Sequence, residues 1–149
     1  MLIVFSGLPG AGKTTLAQAL SRDLRAAYVR IDTIEEALLA VGGGSLVDAG
    51  AGYRAAYAIA EDNLRLGRTV VTDCVNPISI TRNAWRAVAI RSGATGVDVI
   101  VVCSDQDQHK RRIEARAPNT RGSNWQEIIN RRFDPVDNAS IVMALFRFN

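Results

Sequence analysis

Gly7-Leu8-Pro9-Gly10-Ala11-Gly12-Lys13-Thr14 satisfies the pattern G-x-x-x-x-G-K-[ST] in full. The chemistry of that pattern is anion capture. Gly7 and Gly12 allow backbone angles and close approaches that a side chain would prevent. The amides of residues 10–14 would then surround a pocket at a helix N-terminus, where unsatisfied donors and partial positive charge favour phosphate. Lys13 is placed to reach the β- and γ-phosphates, and the Thr14 hydroxyl to ligate Mg²⁺. The flanks agree with this reading. Leu2-Ile3-Val4-Phe5 is a short apolar run that reads as a buried strand, and Leu16, Leu20 and Leu24 recur afterwards at helical spacing. The expected product is a nucleoside triphosphate site made of Gly7, Pro9, Gly10, Ala11, Gly12, Lys13, Thr14 and Thr15.

A triphosphate site needs a metal carboxylate and, for group transfer, an acceptor side. Asp73 follows the β-branched run Thr69-Val70-Val71-Thr72, which is where a carboxylate holding the Mg²⁺ water shell beside Thr14 would stand. Asp105 is its rival, but Ser104-Asp105 opens a helix and capping accounts for it. Asp32 ends a second apolar run, at the strand rim where open α/β sheets bind ligands. A carboxylate there would orient a hydroxyl attacking the γ-phosphate and accept its proton. Asp32 and Glu35 also have the spacing of a helix-capping pair. His109-Lys110-Arg111-Arg112-Ile113-Glu114-Ala115-Arg116 puts Arg112 and Arg116 four residues apart on one helical face. With Pro118 and Gly122 beyond it, the segment 105–123 reads as a basic lid that clamps polyphosphate; the alternative is a solvated charged face. His109 reads as an exposed residue without a catalytic role.

The remaining elements have to hold these residues together. Tyr28-Val29-Arg30-Ile31 is the second predicted strand, with a helix over Thr33–Val41. Gly42 through Gly52 has the composition of a hinge or mobile loop, and Tyr53, Tyr57, Ala60 and Leu64 form a helical stripe ended by Gly67. Asn76-Pro77 leads into a helix with Trp85, Val88 and Ala89, and Val97–Val102 is the fourth strand. A helix opens at Ser123 with capping-box spacing to Gln126, and Ile141–Phe146 is a fifth strand. Strands apolar on both faces and alternating with helices predict a parallel sheet covered on both sides. The 149 residues suit one domain, with 48% hydrophobic and 22% charged residues and a net charge of +3. That mild basicity fits anionic small molecules and does not demand a nucleic-acid groove. Cys74 and Cys103 form no metal or redox motif and read as reduced structural thiols. No apolar run approaches the ~18 residues of a membrane span, and the chain enters its first strand with no room for a leader, so a cytoplasmic location is expected.

Gly7–Thr15, Asp32, Asp73 with Asn76-Pro77 and Arg82, and the Arg112/Arg116 helix occur in the order seen in small P-loop kinases. That group includes adenylylsulfate kinase, gluconate kinase, the kinase domain of polynucleotide kinase, chloramphenicol phosphotransferase and zeta toxins. The chain resembles the adenylylsulfate-kinase-like members over nearly its whole length. The resemblance implies a five-stranded sheet in the order 2-3-1-4-5 within one P-loop kinase domain, 1–149, carrying a lid. It implies ATP and Mg²⁺, with transfer of the γ-phosphoryl group to a hydroxyl of a small, anionic acceptor. Asp32 would meet that hydroxyl, Arg82 the acceptor's anionic part, and Arg112 and Arg116 the phosphates. Arg30–Glu36 departs from many adenylylsulfate kinases in having one Asp and no arginine after it. The adenine-holding loop and helix that often follow the fifth strand are not expected in this sequence. Two other readings are a nucleotide-binding regulatory module with little turnover and, ranked lower, a 5′-hydroxyl nucleic-acid kinase.

Overall fold

The computed structural model describes residues 1–116, 124–131 and 133–135 and the backbone of 142–145. Its centre is β1 (Leu2–Ser6), in which every residue is buried. Burial on both faces follows from its place in the sheet, whose order is β2-β3-β1-β4-β5. The other strands are β2 (Ala27–Arg30), β3 (Val70–Asp73), β4 (Gly96–Val102) and β5 (Val142–Leu145), and all pairings are parallel. The register sets Phe5 beside Asp73 and Arg30 beside Asp73. Two chemistry-bearing positions, Arg30 and Asp73, therefore share the carboxyl rim of neighbouring strands, where parallel sheets receive ligands.

Alternate residues of β1 feed two cores, as the two-residue side-chain period requires. Leu2 and Val4 pack with Val29, Ile31, Val70, Trp85, Val88 and Ala89 on one face; Ile3 and Phe5 pack with Ala11, Ala17, Val71 and Val101 on the other. The first face is covered by α4 (Ala51–Arg65) and α5 (Ser79–Arg91), and the second by α1 (Lys13–Leu24). In α1 the buried line is Lys13, Ala17 and Ser21. Leu16 and Leu20 only flank it, and Leu24 lies 47% exposed, so the leucine stripe of the sequence is the shoulder of the buried face. Small residues take the centre because a helix must lie close on the sheet there.

Other boundaries moved for local reasons. Strand β2 ends at Arg30, and Ile31 already begins α2 (Ile31–Ala40), with Asp32 in its first turn. The glycine-rich stretch contains a short helix, α3 (Gly44–Asp48), rather than an open loop; Gly50 then takes a left-handed conformation, φ 78°, that turns the chain into α4. Helix α6 (Gln106–Glu114) is capped by Asp105, whose carboxylate accepts from the Gln108 amide at 2.9 Å. Helix α7 (Trp125–Ile129) is capped by Asn124, which accepts from Gln126 and Glu127, instead of by the expected Ser123. Residues 117–123, the far part of the predicted lid, fall outside the described residues. Among the described residues no helix is long and apolar enough to cross a membrane.

Candidate active site

The loop between β1 and α1 closes as a cradle because its glycines occupy backbone states that other residues resist. Gly7 has φ 141° and Gly12 φ 102°, and a Cβ on Gly7 would lie 2.3 Å from the Val101 carbonyl oxygen. Gly12 is the N-cap of α1 and no side chain caps that end, which leaves its first-turn amides available to an anion. Pro9, Gly10, Gly12, Lys13, Thr14 and Thr15 line a cleft of about 980 Å³, while Ala11 is buried in the core beneath.

Lys13 is buried, and its ammonium donates to the Leu8 carbonyl oxygen at 2.9 Å. Burial lowers its pKa from the ordinary 10.5; Asp73 and Asp32 offset part of that fall, and Arg116 adds to it. A cation held this way is under-neutralised until phosphate arrives. Beside it, the Thr14 hydroxyl donates to Asp73 Oδ2 at 2.6 Å. The Tyr28 hydroxyl donates to the same oxygen at 2.9 Å, and Arg30 Nε lies 3.8 Å from it. Burial first, and then Asp73, drives the Tyr28 pKa upward, so the phenol remains a donor. Asp73 rather than Asp105 is therefore the carboxylate next to Thr14. A hydroxyl and a buried carboxylate at this separation are hard oxygen donors of the kind Mg²⁺ accepts alongside phosphate oxygens. Among the described residues no cluster of three or more metal-binding side chains occurs.

Across the cleft stand Ile31, Asp32, Glu35, Glu36 and Leu39 of α2, with Tyr53, Val75 and Pro77 forming a wall. Asp32 makes no capping bond; its Oδ2 accepts from Arg30 Nη2 at 3.0 Å, and its side chain is 56% exposed. The capping explanation of Asp32 thus has no bond to support it. Tyr53 shapes the wall by accepting the Asn76 amide hydrogen at 3.0 Å, and Asn76, with φ 49°, ties the turn to Ser6 through a 2.9 Å bond.

Arg82 is placed differently from its expected contact with an anionic substrate. It is 4% exposed and does not line the cleft. Its guanidinium donates to the carbonyls of Asn76, Pro77, Asp134 and Pro135, at 3.4, 3.2, 3.0 and 2.9 Å, and its Cζ lies 5.5 Å from the Phe133 ring centroid. These bonds, with Asp134 N–H donating to Pro77 O at 2.8 Å, staple residues 133–135 to the Asn76-Pro77 turn. Arg131, just before that staple, lines the cleft. Sequence reading missed it because no motif marks it. Arg82→Leu is expected to cost at least about 3 kcal/mol in denaturant unfolding, since several charge-assisted bonds vanish and buried carbonyls lose donors. A stability within 1 kcal/mol of the parent, by the same measurement, would remove the staple from this account.

Arg112 and Arg116 do line the cleft, above the loop, and a Cβ on Gly12 would be 3.9 Å from Arg112 Nη1. His109 is not exposed: it is buried against the loop. Cys74 is also buried, which pushes its thiol up to about 12 and keeps it protonated, as a structural thiol should be.

Comparison with known proteins gives this arrangement its kin. The model of a family described as an AAA domain matches residues 2–134. A Pseudomonas aeruginosa protein described as a "Probable adenylyl-sulfate kinase" is 31% identical over 127 residues, which cover 79% of this chain and 59% of that relative's length. The Mycobacterium tuberculosis APS kinase CysC, solved with AMPPNP and APS, superposes with a TM-score of 0.71 at 22% identity, covering 95% of this chain and 87% of that one. Chaetomium thermophilum Kti12, solved with ADP-AlF3, gives 0.72 at 22% identity over 98% and 89%. With the phosphate loop, the strand order and nearly the whole described sheet accounted for, the chain belongs to this AAA-domain family and has the fold of the small P-loop kinases.

Proposed function

We propose that the protein transfers the γ-phosphoryl group of ATP, with Mg²⁺, to a hydroxyl of a small molecule. The observation that carries the reading is one cleft lined together by Lys13, Thr14, Asp73, Asp32, Arg112 and Arg116, in which Thr14 bonds to Asp73 and Arg30 lies between Asp73 and Asp32. Each part has a task. The loop amides and Lys13 hold the β- and γ-phosphates. Thr14 and Asp73 would hold Mg²⁺, which supplies charge neutralisation on the phosphate oxygens. Asp32 orients the acceptor hydroxyl and takes its proton as the new P–O bond forms and the bond to the β-phosphate oxygen breaks, releasing ADP. Arg112 and Arg116 stabilise the charge on the transferring group. Arg82 is committed to carbonyls, so an anionic acceptor would be met by a cleft-lining arginine such as Arg131. Tyr53, Val75 and Pro77 keep water from that group.

A panel of adenylylsulfate, sugars, nucleosides and 5′-hydroxyl oligonucleotides, read by ADP formation, tests the proposal. One acceptor should raise ATP consumption well above the rate without it; no dependence on any acceptor would remove the kinase reading. The Arg30–Asp32 ion pair favours a second reading, a nucleotide-binding module with little turnover, because it occupies an oxygen of the proton acceptor. Tight nucleotide binding together with slow or no ADP formation, unchanged by any acceptor, is the result that would select it.

Asp73→Asn should raise the Mg²⁺ requirement by about 10–100-fold, with partial recovery at high metal concentration. The amide keeps the shape but not the charge that receives Thr14 and Tyr28. A titration with the parental midpoint would take Asp73 out of the metal site.

A further inference from the structure

In a phosphate loop the amides converge on the anion, so the carbonyls turn outward into the protein and must find donors there. Two consecutive carbonyls find them on side chains. Leu8 O receives Lys13 Nζ, and Pro9 O lies 2.7 Å from Nε2 of His109, the chain's one histidine. A carbonyl oxygen only accepts, so the imidazole proton sits on Nε2. His109 is 7% exposed, and its ring meets Trp125 edge-on, with centroids 5.1 Å apart and planes at 81°. One turn later Ile113, fully buried, follows it into the same socket. That socket exists because Gly10 has no side chain: a Cβ there, at φ 78°, would lie 2.6 Å from Ile113 Cδ1 and 3.1 Å from His109 Cδ2. Arg112 follows His109 by three residues on α6, whereas Arg116, expected on the same helical face, lies past the helix, which ends at Glu114 with Ala115 as its C-cap; both line the cleft.

We infer that His109 is a positioning residue of the phosphoryl-transfer site. Its bond to Pro9 fixes the outward carbonyl of the phosphate loop and docks α6 so that Arg112 stands over Gly12. The inference rests on the reading of this cleft as a nucleotide site. It also changes the lid: α6 as far as Ile113 is part of the loop's own support, so Arg112 is held at the cleft by the docked helix.

The experiment measures affinity for a non-hydrolysable ATP analogue with Mg²⁺ by calorimetry, well below the melting temperature of each variant. His109→Met fills the volume without a donor; His109→Gln returns an N–H near the Nε2 position. Met should weaken binding about tenfold, as expected for one lost hydrogen bond in the site, and Gln should stay within about threefold of the parent. Equal affinity of His109→Met and the parent would overturn the inference, as would equal losses in both variants. Should His109→Met fail to fold, nitrogen NMR of the parent decides, since a sole histidine gives unambiguous signals. The Nε2–H tautomer, with resonances that shift on adding the analogue, is the expected result; an Nδ1–H tautomer or unmoved resonances would overturn it. A parent that does not bind the analogue at all would instead refute the nucleotide site itself.

Discussion

Lys13→Met is expected to lower turnover by about 10²–10³-fold and, at the same time, to raise the melting temperature of the nucleotide-free protein. The first effect follows from losing a positive charge on the β- and γ-oxygens where charge develops in the transition state. The second follows from burial. The Lys13 ammonium is desolvated, and its pKa in the folded protein lies below the 10.5 of the unfolded chain. At pH values below the folded pKa the charge is present in both states and its burial opposes folding in full. As pH rises from the folded pKa toward 10.5, the folded protein loses the proton first, and the penalty fades. Methionine removes it at neutral pH, for a gain of about 1 kcal/mol or roughly 2–4 °C. The difference in Tm between variant and parent should shrink as pH rises through that window. It should also shrink at neutral pH when polyphosphate is added, because only the parent gains a counter-charge. Parental turnover in the folded variant, or a lower Tm at pH 7, would contradict this account.

Asp32→Asn is expected to lower acceptor-dependent turnover by about 10²–10⁴-fold while leaving nucleotide affinity within threefold. The carboxylate makes no helix-capping bond, and it pairs with Arg30 at the cleft surface. An exposed pair of this kind contributes only about 0–1 kcal/mol, so folding should change little. Single-turnover product formation, paired with nucleotide binding on the same sample, measures both. If the melting temperature falls while the rate per folded molecule stays at the parental value, Asp32 is a structural residue and the proton goes elsewhere.

Some of this was legible in the order of residues, and some was not, for a physical reason. The phosphate loop is contiguous: Gly7, Gly12, Lys13 and Thr14 act within one turn of chain, so their types and spacing carry the chemistry by themselves. Asp73 was nearly as clear, because a β-branched run fixes a strand and the residue ending it must reach the rim. The strand order followed from resemblance, and the parallel register then brought Arg30, Asp73 and Phe5 side by side. Arg82 and His109 were different. Both are polar residues on helices, and a polar residue on a helix is usually solvated. Their partners are backbone carbonyls at Asp134, Pro135 and Pro9, which lie 52, 53 and 100 residues away. A carbonyl has the same chemistry at every position, so nothing in the sequence marks the ones left without a donor. The sequence alone determined the ligand class and the strand–loop–helix that binds it. Only the tertiary structure decided which cations face the cleft and which are committed to holding it open, because that choice depends on which outward carbonyls the packed chain leaves unpaired.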